Sequence, residues 1–475
     1  MSTEHRLSPL FKFSSVAMVG ASDNSAMGGR PYQALQSLGF TGRYYPINAR
    51  NDRVHGLQAY PNVSSCPEPP EMVVIAIPRE GVPTVVDECA RVGVKAAVIL
   101  AAGFVDLDTH GAELQAQVSE TARKSGLLVI GPNCLGLASV VNKCAASSAA
   151  PPTELGNVAL ISHSGGLMNE VISCGVPRGI GFSHVVSAGN EVGVNAADLI
   201  DFFVDDPATD VILSILETAR DPERFAKACA RAAESRKPIV LLKMGRTPRG
   251  ARSAYTHTGA NAGDDAAYTT LFRQYGIVQV NDIDELVDMG ALLSASIGVL
   301  RRRRLERTAI IEISGGGKEL LCDTAAAAGV ELPEPSPAAL EALTKGLPED
   351  TYPTNPIDTG GSWVQPDKAV VYPLTLDVFA SEPAVDVIVS RYTIPRTGEL
   401  GVLRDRLAEL DAARAAHPDR LFPVLSRTCD QFCEEWEQVV RERRIPFLQG
   451  YGRGMRALGL LAEYSRFVHG PALDR

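Results

Sequence analysis

At 475 residues and 45% hydrophobic content, the chain exceeds one ordinary core, and about two to four globular domains are expected. Its 56 acidic residues outnumber 46 basic ones for a formal charge of −10, and the only marked basic run is Arg301 to Arg304; this argues against nucleic acid or an anionic membrane as the main partner. Nine cysteines are scattered without a C-x-x-C pair, which fits a reducing compartment and no metal site; Cys429 and Cys433, in "CDQFC", read as two helical thiols. No segment reaches the ~18 consecutive apolar residues of a membrane span, and "MSTEHRLSPLFKFS" lacks the apolar run of a signal peptide, so a cytoplasmic protein is expected.

Apolar runs alternate with helical patterns along the whole chain. The first ~140 residues hold "SVAMVG", "RYYPIN", "MVVIAI", "AAVILAAG" and "LLVIG". Strand followed by helix, repeated, predicts parallel sheets covered by helices on both faces, an α/β fold. The first turn offers Gly20, Ser22, Gly28 and Gly29 without G-x-G-x-x-G spacing, and the second strand ends in Asn48 and Arg50 instead of an acid. Readout of a ribose 2′-hydroxyl by a carboxylate is therefore missing, which disfavours NAD and favours a phosphate-bearing nucleotide.

"AASSAAPPTELG" marks a boundary, and a second series follows: "NVALIS", "FSHVVSAGN", "DVILSILE", "KPIVLLKMG" and "GIVQV", closed by a helix from Ile283. The Arg-rich link at 299–307 is a second boundary. A third series opens with "TAIIEISGGGKELLCDTAAAAG", which repeats the strand, turn and helix of "NVALISHSGGLMNEVISCG". The domains expected are 1–148, 149–300 and 308–475. The last two read as related sheets, of which only the earlier carries "SAYTHTGANAG".

In doubly wound sheets ligands bind beyond the carboxyl ends of the strands, so residues just after each apolar run can converge. The "SHSGG" turn can present free helix N–H groups to a phosphate, with hydroxyls from Ser162 and Ser164 and close backbone approach at Gly165 and Gly166; a tight strand-to-helix turn with a Ser cap accounts for it equally. A hydrolase elbow wants G-x-S-x-G, and Ser162 stands where the first Gly belongs. Glu217 ends a strand apolar on both faces, where a carboxylate is costly without a partner. His257 hangs from the next strand-end loop, before Thr258 and Gly259. A carboxylate on one ring nitrogen would fix the tautomer and leave the other as a nucleophile able to carry a phosphoryl group. "SGGGKE" in the third series lacks P-loop spacing and reads as a structural turn.

Ten ordered motifs, among them "VGASDNSAMGGR", "YYPINAR", "IGPNCLG", "ISHSGG", "ILETARDPERF" and "HTGANAG", resemble the NDP-forming acyl-CoA synthetases, above all the alpha subunit of ADP-forming acetate–CoA ligase, with succinyl-CoA synthetase alpha as a more distant relative. The resemblance implies a Rossmann-like CoA-binding domain followed by two flavodoxin-like doubly wound parallel-sheet domains. It implies His257 as the phosphorylated histidine, Glu217 as the acid that orients it, and phosphate binding by Ser162, Ser164, Gly165, Gly166, Thr258 and Gly259. Coenzyme A would be held through Gly20, Ser22, Asn48, Arg50, Pro78 and Asn133. Acyl-CoA, phosphate and ADP would interconvert with carboxylic acid, CoA and ATP through acyl phosphate and phosphohistidine. No ATP-grasp pattern follows Arg307, so ADP or ATP with Mg2+ is expected on a separate ATP-grasp beta chain, in a hetero-oligomer or with a homodimer of this chain. A non-catalytic CoA or acyl-CoA binding protein of the same descent is the alternative, and a hydrolase using Ser164 is a remoter one. His163 stands where the family motif has Gln or Arg; it either tunes phosphate binding or faces away.

Overall fold

The computed structural model describes residues 5–23, 27–258, 263–347, 352–360, 370–429 and 431–470; of residues 255–258 it describes the backbone alone. The chain divides into two compact units, one of residues 1–173 and 181–283 and the other of residues 174–180 and 284–475.

The first unit opens with the short helix α1 (Ser8–Phe11) and a sheet of β1 (Ser15–Val19), β2 (Arg43–Ile47), β5 (Met72–Ile75), β6 (Ala96–Ile99) and β7 (Leu128–Ile130). Its order is β2-β1-β5-β6-β7, all parallel, and the small hairpin β3 (Arg53–Val54) and β4 (Leu57–Gln58) follows β2. Helices α2 (Arg30–Ser37), α3 (Val82–Val92) and α4 (Thr109–Ser125) make the crossovers. Both faces are covered, which is why these strands read as unbroken apolar runs.

The second sheet has seven strands in the order β14-β13-β12-β10-β11-β8-β9: β8 (Gly136–Ser139), β9 (Cys144–Ser147), β10 (Leu155–Ser162), β11 (Phe182–Ser187), β12 (Val211–Leu216), β13 (Ile239–Lys243) and β14 (Val278–Val280). Strands β10 to β14 are parallel, whereas β8 pairs antiparallel with β11 and with β9. Its helices are α5 (Gly165–Gly175), α6 (Ala196–Asp205), α7 (Pro222–Glu234), α8 (Pro248–Thr258) and α9 (Asp265–Gln274), and α10 (Ile283–Leu300) opens the stretch that belongs to the other unit.

The small residues read as a linker at 145–156 thus begin inside β9. Cys144, Ala145 and Ala146 are fully buried there, because small side chains let an edge strand lie close against α2. One apolar core runs without a break from sheet one into sheet two. The N-terminal segment adds to it: Phe11 stacks on Phe202 at 4.6 Å, and Arg6 pairs with Asp198 at 2.8 Å.

The other unit holds a parallel sheet in the order β16-β15-β17-β18-β19: β15 (Thr308–Glu312), β16 (Ile357–Asp358), β17 (Val387–Arg391), β18 (Val424–Ser426) and β19 (Phe447–Gln449). Helices α11 (Gly315–Ala328), α12 (Pro337–Gly346), α13 (Val371–Ser381), α14 (Leu403–Ala416), α15 (Glu434–Arg443) and α16 (Tyr451–His469) surround a core that includes Trp436 and Phe447. Cys429 lies in a loop and Cys433 caps α15, so the two thiols expected on a helix both precede it. Leaving aside the antiparallel pair and the hairpin, all three sheets share the order 2-1-3-4-5, which reverses between the first and third strands of each series. No helix among the described residues is long and apolar enough to cross a membrane.

Candidate functional site

The reversal in sheet two falls between β10 and β12, where the ladder pairs Ser162 with Ile215. His163 and Ser164 therefore leave one strand beside Glu217 leaving the other, at the crevice such a sheet leaves open. Ser162 is fully buried; its hydroxyl donates to the Ser164 carbonyl at 2.6 Å and accepts the Ser164 N–H at 3.1 Å, so it closes the turn. Ser164 caps α5 by accepting the Leu167 N–H at 3.4 Å. That leaves the amides of Gly165 and Gly166, in the first helical turn, without an intrahelical acceptor and suited to an anion. Position 165 must be glycine for packing as well, since a Cβ there would sit 2.4 Å from Leu135 Cγ.

His163 faces inward. Its Nε2 lies 3.0 Å from Glu191 Oε1, and its Nδ1 accepts the backbone N–H of Glu217 at 3.2 Å. Because Nδ1 accepts, the ring hydrogen sits on Nε2 and points to the Glu191 carboxylate. Burial opposes the charged ring, but the Glu191 carboxylate, and then Glu217, outweigh it and raise the pKa. Glu191 also accepts the Ala196 N–H at 2.7 Å and lies 4.0 Å from Arg220 Nε. It holds φ at 58°, which costs a non-glycine residue about 1–2 kcal/mol and marks a position fixed by its contacts.

Glu217 is 6% exposed. Its carbonyl accepts Lys243 Nζ at 2.7 Å, and the same ammonium donates to the Met244 carbonyl at 2.5 Å and lies 4.7 Å from the centre of the Tyr268 ring. Burial lowers the Lys243 pKa to about 8. Tyr268 Oη accepts the Ala219 N–H at 2.8 Å, which ties the same loop down a second time. Beside it opens a cleft lined by Thr218, Arg220, Pro222, Gly263, Tyr268 and Leu271.

The backbone of His257 and Thr258 forms the last turn of α8, so the segment expected as a loop is helical up to this point. Pro248 opens that helix with φ already suited to it, and Ala251 to Thr258 contain no further Gly or Pro. The side chains of His257 and Thr258, and Gly259 entirely, lie outside the described residues. Among the described residues no group of three His, Cys, Asp or Glu is arranged to hold a metal.

In sheet one the reversal falls between β1 and β5. Gly20 holds φ at 88°, and a Cβ there would lie 2.5 Å from the Ala76 carbonyl oxygen, so the two strand ends meet as only glycine allows. The Ser22 N–H donates to the Gly28 carbonyl at 3.2 Å. Asn48 donates to the Ala21 carbonyl at 2.9 Å and accepts the Arg50 N–H at 2.8 Å, joining the first two strand-end loops. Arg50 and Pro78 are exposed on the loops after β2 and β5, the strands on either side of β1. Asn133 is drawn toward sheet two: its side chain lies 3.4 Å from Asn190, which in turn donates to Asp106 and Gln115. Sequence reasoning missed Glu191, Lys243 and Arg220; the one available signal was a lysine closing the otherwise apolar strand β13.

Comparison with known proteins accords with this arrangement. Residues 14–139 match a CoA binding domain, and residues 155–293 match a succinyl-CoA ligase like flavodoxin domain. Acetate–CoA ligase (ADP-forming) I of Archaeoglobus fulgidus is 30% identical over 95% of this chain and 62% of its own length. The alpha subunit of acetate–CoA ligase (ADP-forming) I of Pyrococcus furiosus is 33% identical over 75% of this chain and 77% of its own. Among solved structures, a dinucleotide forming acetyl-coenzyme A synthetase 1 of Ca. Korarchaeum cryptofilum, in complex with phosphate and ADP, superposes with a TM-score of 0.85 at 30% identity over 97% of both chains. The chain spans 48% to 62% of the length of the first curated relatives it matches.

Proposed function

The chain belongs to the ADP-forming acetate–CoA ligase family of acyl-CoA synthetases, and we propose that it performs the CoA-side half of such a reaction as an alpha subunit. A phosphate oxygen attacks the thioester carbonyl, and CoA leaves as its thiol, giving acyl phosphate. A ring nitrogen of His257 then attacks phosphorus, the carboxylate leaves, and phosphohistidine remains. Transfer to ADP, which regenerates the histidine, takes place on a separate ATP-grasp chain where the nucleotide and its Mg2+ are held.

The observation that supports this reading is that the α5 N-terminus and the buried Glu217 leave adjacent strands at the switch point of sheet two, while β13, the strand next to β12, leads into α8, whose last turn includes the backbone of His257. Gly165 and Gly166 supply amides for the phosphate, and Thr258 and Gly259 are assigned to it as well. Glu217 orients the imidazole, and CoA lies across the strand ends at Gly20, Ser22, Asn48, Arg50, Pro78 and Asn133.

The test is direct. The full chain is incubated with labelled orthophosphate and, in turn, acetyl-CoA, butyryl-CoA and an aromatic acyl-CoA. Acid-labile, base-stable label is expected with at least one of them, and none in His257→Ala. Absence of label with all three, or undiminished label in the variant, overturns the reading.

A further inference from the structure

The peptide of Glu217 is gripped from both ends by buried side chains that the reaction above does not use. His163 Nδ1 takes its N–H at 3.2 Å, and Lys243 Nζ takes its carbonyl at 2.7 Å. Both side chains are buried, His163 at 6% and Lys243 at 3% exposure. Each grip has its own anchor: Glu191 Oε1 holds His163 Nε2 at 3.0 Å, and the Met244 carbonyl and the Tyr268 ring hold Lys243. The main chain at Glu217 is thus fixed on both sides of the residue whose carboxylate is assigned to the histidine.

We propose that His163 is a positioning residue which, together with Lys243, clamps the Glu217 peptide and so sets the direction in which its carboxylate meets His257. The clamp rests on the reading above. Its value lies in geometry: a reacting ring displaced by about 1 Å loses much of the advantage of being held in place. The fold itself does not require it. In the third sheet, with the same strand order, the positions matching His163, Glu217 and Lys243 along the ladders are Ile313, Thr393 and Ser426. A sheet of this design closes without an imidazole or an ammonium on that peptide.

The experiment is rapid-quench measurement of phosphohistidine formation in the full chain, using labelled orthophosphate and whichever of the three acyl-CoAs labels the wild type. His163→Leu removes the acceptor, Lys243→Met removes the donor, and His163→Asn keeps an acceptor oxygen as many bonds from the backbone as Nδ1. Labelling is expected to slow about 10- to 100-fold in the Leu and Met variants, with an unchanged KM for acyl-CoA, and to return to within about threefold of wild type in the Asn variant. An unlabelled wild type overturns the reading of function. A labelled wild type with His163→Leu equally fast, or with His163→Asn as slow as His163→Leu, overturns the clamp alone. Should His163→Leu fail to fold, Lys243→Met decides: slowed labelling at constant KM supports the clamp, and wild-type labelling overturns it.

Discussion

The switch points of sheets two and three are built to one pattern and furnished differently. Aligning the cap residues Ser164 and Ser314 places Ser162 opposite Glu312, and the ladders then match Ile215 with Arg391 and Leu242 with Leu425. In sheet two the side chains of His163 and Lys243 act on the main chain of Glu217, a residue that is itself buried. In sheet three the carboxylate sits one strand earlier. Glu312 is fully buried, accepts the Ile313 N–H at 2.9 Å and has Arg391 as its counter-charge, while Arg391 donates to Thr393 at 2.7 Å and to Tyr451 at 3.2 Å. One scaffold thus supports a strand end whose main chain is held by two side chains and another where a buried carboxylate meets a backbone amide and a nearby guanidinium. A duplicated sheet fixes where side chains emerge, not what they do.

The strongest way to break this comparison is to exchange matched residues. Glu217→Gln keeps the shape but removes the charge that would orient His257, and the rate of phosphohistidine formation is expected to fall at least about 100-fold. Thr393→Val at the matching place in sheet three is expected to leave it within about threefold. Equal effects in a quench-flow assay would mean that the two rims share the work.

Packing offers a second contrast. Gly165→Ala must displace Leu135, whose Cγ lies 2.4 Å from the new Cβ, whereas Gly315→Ala meets nothing nearer than Asp358 Oδ2 at 3.5 Å. Denaturant unfolding is expected to show a loss of about 1–3 kcal/mol for the first and under about 0.5 kcal/mol for the second. Similar losses would show that the two helix starts are packed alike.

The smallest effect concerns pH. Burial raises the Glu312 pKa, against the pull of the Ile313 amide and Arg391. A carboxyl with a raised folded pKa binds more protons folded than unfolded. Its contribution is therefore full below the ordinary carboxylate range and lost as pH rises through the raised value. Thermal melts of Glu312→Gln are expected to fall less than wild type over that window; parallel curves would remove Glu312 as the cause.

Much of this was legible before any coordinates. Runs such as "DVILSILE" and "KPIVLLKMG" announce parallel strands because both faces are buried, and the echo between 157–175 and 308–329 announces a repeated unit. The turn at Ser162 to Gly166 and the acid at Glu217 stood out because polar residues at the end of an apolar strand need a reason. His163 did not declare its role: its partners lie 28 residues away at Glu191 and 54 away at Glu217, and no local pattern links them. Lys243, 26 residues from Glu217, was hidden in the same way. The antiparallel pair β8 and β9 was masked by small residues that read as linker.

The sequence by itself determined the alternation of strands and helices, the repetition of one sheet design and the places where polar residues leave the strands, since burial on two faces and the strand period act on neighbours in the chain. Tertiary structure alone decided which strands lie side by side at each reversal, that an imidazole and an ammonium hold the main chain of one residue between them, and that β8 and β9 complete the second sheet. Those outcomes depend on hydrogen bonds between segments far apart in sequence, whose partners are chosen only when the sheets close.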